Sequence, residues 1–250
     1  MRSGTTLLAT LMSDCFRFDF SPAGETHLWY PVAPGSRTAC TKYPGDEIVV
    51  RHVLPYDGDL WFIYMLRDPR DVVVSVHGMD RSAYFTNLRH WRESYAAAQP
   101  MRSSQRFLQI RYEELVADPD AVQARIMTFA PFLERLKAFS EWDGKGALSS
   151  QYDKAMRGAR KVEPSSVGAW RKHKGRLRAQ IDLHGDIGDL LIETGYERDT
   201  AWLAELDGVE PDLRPGKVAD RISSGKAFRR KLREHLHAGV YLCRRAVRAR

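Results

Sequence analysis

The sequence predicts an α/β protein built on a doubly wound parallel sheet flanked by helices, with a basic helix at its C-terminal end. Three observations carry that expectation. Strand-patterned segments alternate with helix-patterned ones up to residue 129. A glycine-and-hydroxyl turn, Arg2-Ser3-Gly4-Thr5-Thr6, runs straight into an apolar helical repeat. An apolar run over 60–66 ends at Arg67 and gives way at once to a helix start.

Leu7, Leu8, Leu11 and Met12 recur at helical spacing, so a helix is expected over 6–13. The amides of Gly4, Thr5 and Thr6 would then be first-turn donors at the positive end of the helix dipole, and Arg2 adds a full charge beside them. This is a P-loop-like anion cradle, but a Walker pattern requires a second glycine and then Lys-Ser/Thr, and neither follows. A turn that merely caps an ordinary helix is the plainer alternative. An irregular acidic and aromatic stretch reaches Pro34, a strand is expected near 38–42, and a helix around 47–54.

The run over 60–66 reads as a buried parallel strand with Arg67 at its C-terminal end, where open parallel sheets bind ligands. Asp68 stands as N-cap, Pro69 as the first helical residue and Asp71 as the acidic third position, which places Ser75 two turns into that helix. The bland reading pairs Arg67 with Asp68 or Asp71 at the surface. A helix over 85–98 carrying Trp91 and Tyr95, a strand over 106–111 and a helix over 121–129 come next. Beyond Phe132 the strand pattern stops. Residues 141–166, rich in Gly, Ser and Lys, are expected to form a mobile excursion, 177–194 one long amphipathic helix ended by Gly195, and 211–216 a linker. The expected domains are therefore 1–210, the α/β domain, and 211–250, a linker with a basic amphipathic tail.

Charge is unevenly distributed. Residues 1–213 carry 27 Lys/Arg and 30 Asp/Glu, whereas 214–250 carry twelve against two, so the whole basic excess of the +7 chain lies in the tail. Phe228, Leu232, Leu236, Val240, Leu242 and Val247 fall among its arginines at roughly helical spacing. That suits an anionic membrane surface or a partner, or else packing on the chain's own domain. With only Phe228 and Tyr241 as aromatics, nucleic acid ranks last. Cys15, Cys40 and Cys243 form neither a metal-type spacing nor an even disulfide set, and no metal site is expected. No apolar run approaches a membrane span and no signal-peptide core opens the chain, so the expected location is cytoplasmic, with membrane association through the tail.

The segments RSGTTLL, from Arg2, and RDPRDVVVS, from Arg67 to Ser75, together resemble the two signatures of the sulfotransferases that use 3'-phosphoadenosine 5'-phosphosulfate (PAPS). RYEELVADP, from Arg111, is similar to the family's strand-to-helix segment with its tyrosine near the nucleotide, and VGAWRKH, from Val167, to its late loop over the cofactor. The resemblance implies that Arg2, Ser3, Gly4, Thr5 and Thr6 bind the 5'-phosphosulfate, and Arg67 and Ser75 the 3'-phosphate. Tyr112, Trp170, Arg171 and Lys172 complete the implied cofactor set. Family members carry a strand before the first loop, and here only Met1 precedes it, so that strand is expected to be missing.

Sulfuryl transfer needs a base, a charge stabiliser and an acceptor pocket, but no metal. Lys42, at the end of an expected strand, matches a position where family members often carry lysine, and Arg2 could share its work of neutralising developing charge. Glu25 in AGETHLWYP resembles the stretch that holds the base in protein-tyrosine sulfotransferases, with His27 as the rival base. Trp29, Tyr30, Tyr43 and Tyr56 suit a sugar or a phenol, and a carbohydrate or glycolipid hydroxyl is the expected acceptor. Two other classes compete: a nucleotide-dependent kinase, and a truncated, non-catalytic protein that binds a membrane or partner through its tail.

Overall fold

The computed structural model describes residues 2–76, 82–144 and 164–248. In chain order the elements are α1 (Thr5–Cys15), α2 (Glu47–Val53), β1 (Phe62–Leu66), α3 (Pro69–Val73), α4 (Leu88–Ala98), β2 (Phe107–Arg111), α5 (Tyr112–Ala117), α6 (Pro119–Phe129), α7 (Lys174–His184), α8 (Gly188–Glu193) and α9 (Ser224–Arg248). Short 3-10 turns lie at Gln99–Met101, Ala169–His173 and Ala201–Leu206. The chain divides into two units. The sheet unit comprises Gly4–Leu66, Ser94–Glu163 and Ile222–Arg250, and the helical unit Met1–Ser3, Arg67–Glu93 and Pro164–Arg221.

In the sheet unit β1 and β2 pair in parallel, from Phe62 opposite Phe107 to Leu66 opposite Arg111. The α/β class is therefore present, and the sheet among the described residues has two strands. Its core is fixed by the apolar face of α1 (Leu8, Leu11, Cys15) against Met65 of β1, Ile110 of β2, Leu115 of α5 and Ile126 of α6, closed by Phe139 and Trp142. Each such side chain removed from water contributes about 1.5–3 kcal/mol. A second apolar layer joins Val49 and Val53 of α2 to Ala238 and Tyr241 of α9.

The expected strand at 38–42 is reduced to a single bridge between Phe20 and Ala39. The Asp19 carboxylate takes the amides of Arg37 and Thr38 at 2.8 and 2.9 Å, which diverts that backbone from a ladder.

The helical unit packs α3, α7, α8 and the 3-10 turns around Val73, Leu88, Trp170, Leu177, Ile187, Leu191 and Trp202. Asp68 caps α3 as expected, accepting from the Arg70 amide at 2.8 Å, with Pro69 at the first position. The helix ends at Val73, however, so Ser75 lies beyond its C-terminus instead of two turns inside it. The long helix expected over 177–194 is two helices. Gly185 adopts φ +83° after α7, and Asp186 then receives the amides of Ile187 and Gly188 at the start of α8. The segment read as a linker is tied down, since Tyr84 donates to Pro215 O, Lys217 to Tyr84 O and Asp212 to Gly175 O. Of the excursion expected over 141–166, residues 145–163 lie outside the described residues.

Candidate functional site

In the sheet unit the glycine turn opens α1. Gly4 sits in the left-handed region at φ +82°, and a Cβ there would stand 2.3 Å from Cδ2 of Tyr112, the residue that follows β2. Glycine is the residue that fits both the backbone and the ring above it. The start of α1 has no side-chain cap and no acid in its first turn, the arrangement in which a helix N-terminus can receive an anion. Thr6 Oγ1 accepts from Lys42 Nζ at 3.1 Å, and the same ammonium donates to Glu25 Oε1 at 2.6 Å. The lysine side chain is 11% exposed and the glutamate 46%, so a largely sheltered cation holds a carboxylate at the rim. Three sequence-predicted residues, Thr6, Glu25 and Lys42, are thus brought together.

His27 has other company. Its Nδ1 lies 2.7 Å from Asp46 Oδ1, and its ring is stacked between Trp29 and Tyr43 at centroid distances of 4.1 and 3.5 Å. Burial holds the Asp46 carboxyl above the usual aspartate range, against the bonds it receives from His27 and the Leu28 amide. On its other face Trp29 stacks on His237 of α9. Of the four aromatics expected at an acceptor mouth, Trp29 is therefore sandwiched, while Tyr30 and Tyr56 are exposed.

In the helical unit Arg67, which follows β1 directly, is buried. Its Nη1 donates to Arg2 O at 3.0 Å and its Nη2 to Ser166 O at 2.7 Å. Arg2 Nε donates to Ser75 Oγ at 3.0 Å. Arg2, Arg67 and Ser75 thus form one cluster, with Arg67 buried instead of at the surface. Ser3 is buried, and its Oγ has no hydrogen-bond partner among the described residues. A sheltered hydroxyl in that state costs free energy unless something fills the position.

The Trp-Arg-Lys segment is anchored in the core of the helical unit. Trp170 is buried in the unit core, edge-on to Trp202, and the Arg70 guanidinium lies 4.6 Å from its ring centroid. Arg171 stacks on the same indole at 4.5 Å and pairs with Glu205 at 3.3 Å, and Lys172 is exposed. What holds the segment is Asp71, whose two oxygens accept the Gly168 and Trp170 amides at 2.8 and 2.9 Å. Burial pushes the Asp71 carboxyl above its usual range, with the two amides and Arg67 opposing. From the sequence Asp71 looked like a dipole-complementing acid. Its partners 97 and 99 residues away have no local signature.

Among the described residues no group of three or more His, Cys, Asp or Glu is placed to hold a metal ion, and no helix is long and apolar enough to cross a membrane. Residues 58–131 match the model of a family described as the sulfotransferase family, a segment that contains β1, Arg67, Ser75, β2 and Tyr112. No curated protein and no solved structure matches the chain.

Proposed function

We propose that the chain, whose residues 58–131 match the sulfotransferase family, transfers a sulfuryl group from PAPS to an acceptor hydroxyl on a P-loop-like α/β scaffold. The observation that carries the reading is Arg67, inside the matched segment, clustered with Ser75 and Arg2. Arg67 and Ser75 fit the 3'-phosphate of the donor, since fixed guanidinium and hydroxyl groups bind phosphate oxygens with charge-assisted bonds. The uncapped start of α1 and the glycine cradle under Tyr112 fit the 5'-phosphosulfate, and Ser3 has a hydroxyl to offer it. Trp170 supports the fold of its segment, leaving Arg171 and Lys172 as the cations that segment offers to the nucleotide.

PAPS supplies an electrophilic sulfur and a phosphate leaving group. A bond forms from the acceptor oxygen to sulfur as the sulfur–oxygen bond to the 5'-phosphate breaks. Glu25 accepts the hydroxyl proton, and Lys42 offsets charge on the leaving oxygen, a task that Arg2 shares. His27 is engaged by Asp46 and two rings, which favours Glu25 as the base. A carbohydrate hydroxyl is the acceptor class, supported by the exposed rings of Tyr30 and Tyr56.

Calorimetric titration tests the reading. Magnesium-independent binding of 3'-phosphoadenosine 5'-phosphate supports it, and binding of ATP with magnesium alone overturns it in favour of a kinase.

A further inference from the structure

Helix α9 has two apolar sides. One is consumed by the fold: Glu234, Ala238 and Tyr241 are buried, Glu234 receives Arg51 of α2 at 2.8 Å, and Asp57 receives Tyr241 and, at 2.7 Å, Arg245. The other side is a solvent-facing stripe of Phe228, Leu232 and Leu236, 61–70% exposed and spaced i, i+4, i+8, continued at Val247, which is 76% exposed. At about 100° per residue these side chains share an arc about 100° wide on the side opposite Tyr241. Lys226, Arg229 and Arg233 border the stripe on one flank and Lys231 on the other, all exposed. The helix holds a single acid, Glu234, and it faces inward.

We propose that this outer side of α9 is a docking surface for an anionic lipid bilayer, the helix lying in the interface with Phe228, Leu232 and Leu236 inserted and the flanking cations among the headgroups. Charge decides the occupant. A second copy of the chain would set cationic flanks against cationic flanks, whereas an anionic surface matches the flanks and the apolar stripe together. The proposal stands apart from the sulfuryl-transfer reading, because none of its residues belongs to the candidate site.

The test uses the full chain and co-sedimentation with vesicles of phosphatidylcholine alone or with about 30% phosphatidylserine, the anionic lipid that attracts polybasic segments. Binding to the anionic vesicles should exceed binding to the neutral ones by tenfold or more. Leu232→Glu with Leu236→Glu should lower it at least tenfold while leaving the urea unfolding midpoint unchanged, since both side chains already face water. Arg229→Ala or Arg233→Ala should each weaken it about fivefold, the worth of one cation near such a surface. Failure to sediment with anionic vesicles, equal binding to both compositions, indifference to the leucine substitutions, or a dimer in sedimentation analysis that those substitutions abolish would each overturn the proposal.

Discussion

Gly4→Ala is the sharpest perturbation of the cradle. The backbone at φ +82° is strained for any L side chain, by about 1–2 kcal/mol. The new Cβ would stand 2.3 Å from Tyr112 Cδ2 and 2.9 Å from its Cε2, so the ring must shift within a packed core at a further cost of about 1–3 kcal/mol. The expected loss is therefore about 2–5 kcal/mol in urea unfolding followed by far-UV circular dichroism. The two contributions separate in a double-mutant cycle, because Tyr112→Ala removes the ring but leaves the backbone conformation. In that background Gly4→Ala should cost only about 1–2 kcal/mol, a coupling of about 1–3 kcal/mol. Equal costs in the two backgrounds would refute the close approach of ring and glycine, and a loss below about 0.5 kcal/mol would refute the strained turn as well.

Four further outcomes are expected. Arg67→Ala and Ser75→Ala should weaken nucleotides bearing a 3'-phosphate by about 10- to 150-fold in calorimetry and spare those without it, since charge-assisted bonds are worth about 1.5–3 kcal/mol; equal losses would remove the assigned role. Glu25→Gln should keep nucleotide binding and lower turnover about 100-fold or more in a sulfate-transfer assay, whereas near-normal turnover would hand the role to His27. Asp71→Ala strips the Gly168 and Trp170 amides of their acceptor, at about 1–3 kcal/mol each, and should appear as lost stability with a red-shifted tryptophan emission.

The last concerns pH. Burial raises the Asp57 carboxyl, but Arg245, Tyr241 and the Asp59 amide outweigh it and hold the pKa below 3.8. A depressed carboxylate stabilises the fold above its unfolded value, and that contribution fades as pH falls through the folded one. Protection of the α9 amides, taken relative to their intrinsic exchange rate at each pH, should therefore fall below about pH 4 in the native chain, and an Asp57→Asn variant should show reduced protection already at neutral pH.

What was legible in the sequence was local. The start of α3 is specified by Asp68 and Pro69 themselves, and β1 and β2 are specified by a short apolar run and a short alternating segment. The missed features depend on remote partners. Residues 38–42 carry strand chemistry, but the Asp19 carboxylate captures the neighbouring amides first. The period of 177–194 continues across Gly185, so only the backbone reveals the break. Glu25 and Lys42 were each singled out, yet nothing in the spacing said that they pair. The tail's periodicity revealed an amphipathic helix and concealed which side faces inward, because Glu234 and Arg245 are charged residues on the packed side.

That inversion in α9 bears on how the chain can evolve. Positions 234, 238, 241 and 245 answer to α2 and Asp57, so a change at one must be matched by a change at 51, 53 or 57. Positions 228, 232 and 236 are mostly exposed among the described residues and are freer to follow whatever surrounds the molecule. Related chains should accordingly show paired substitutions between the inner positions and α2. The outer positions should instead change together as a block, hydrophobic in lineages where the surface is used and polar where it is not.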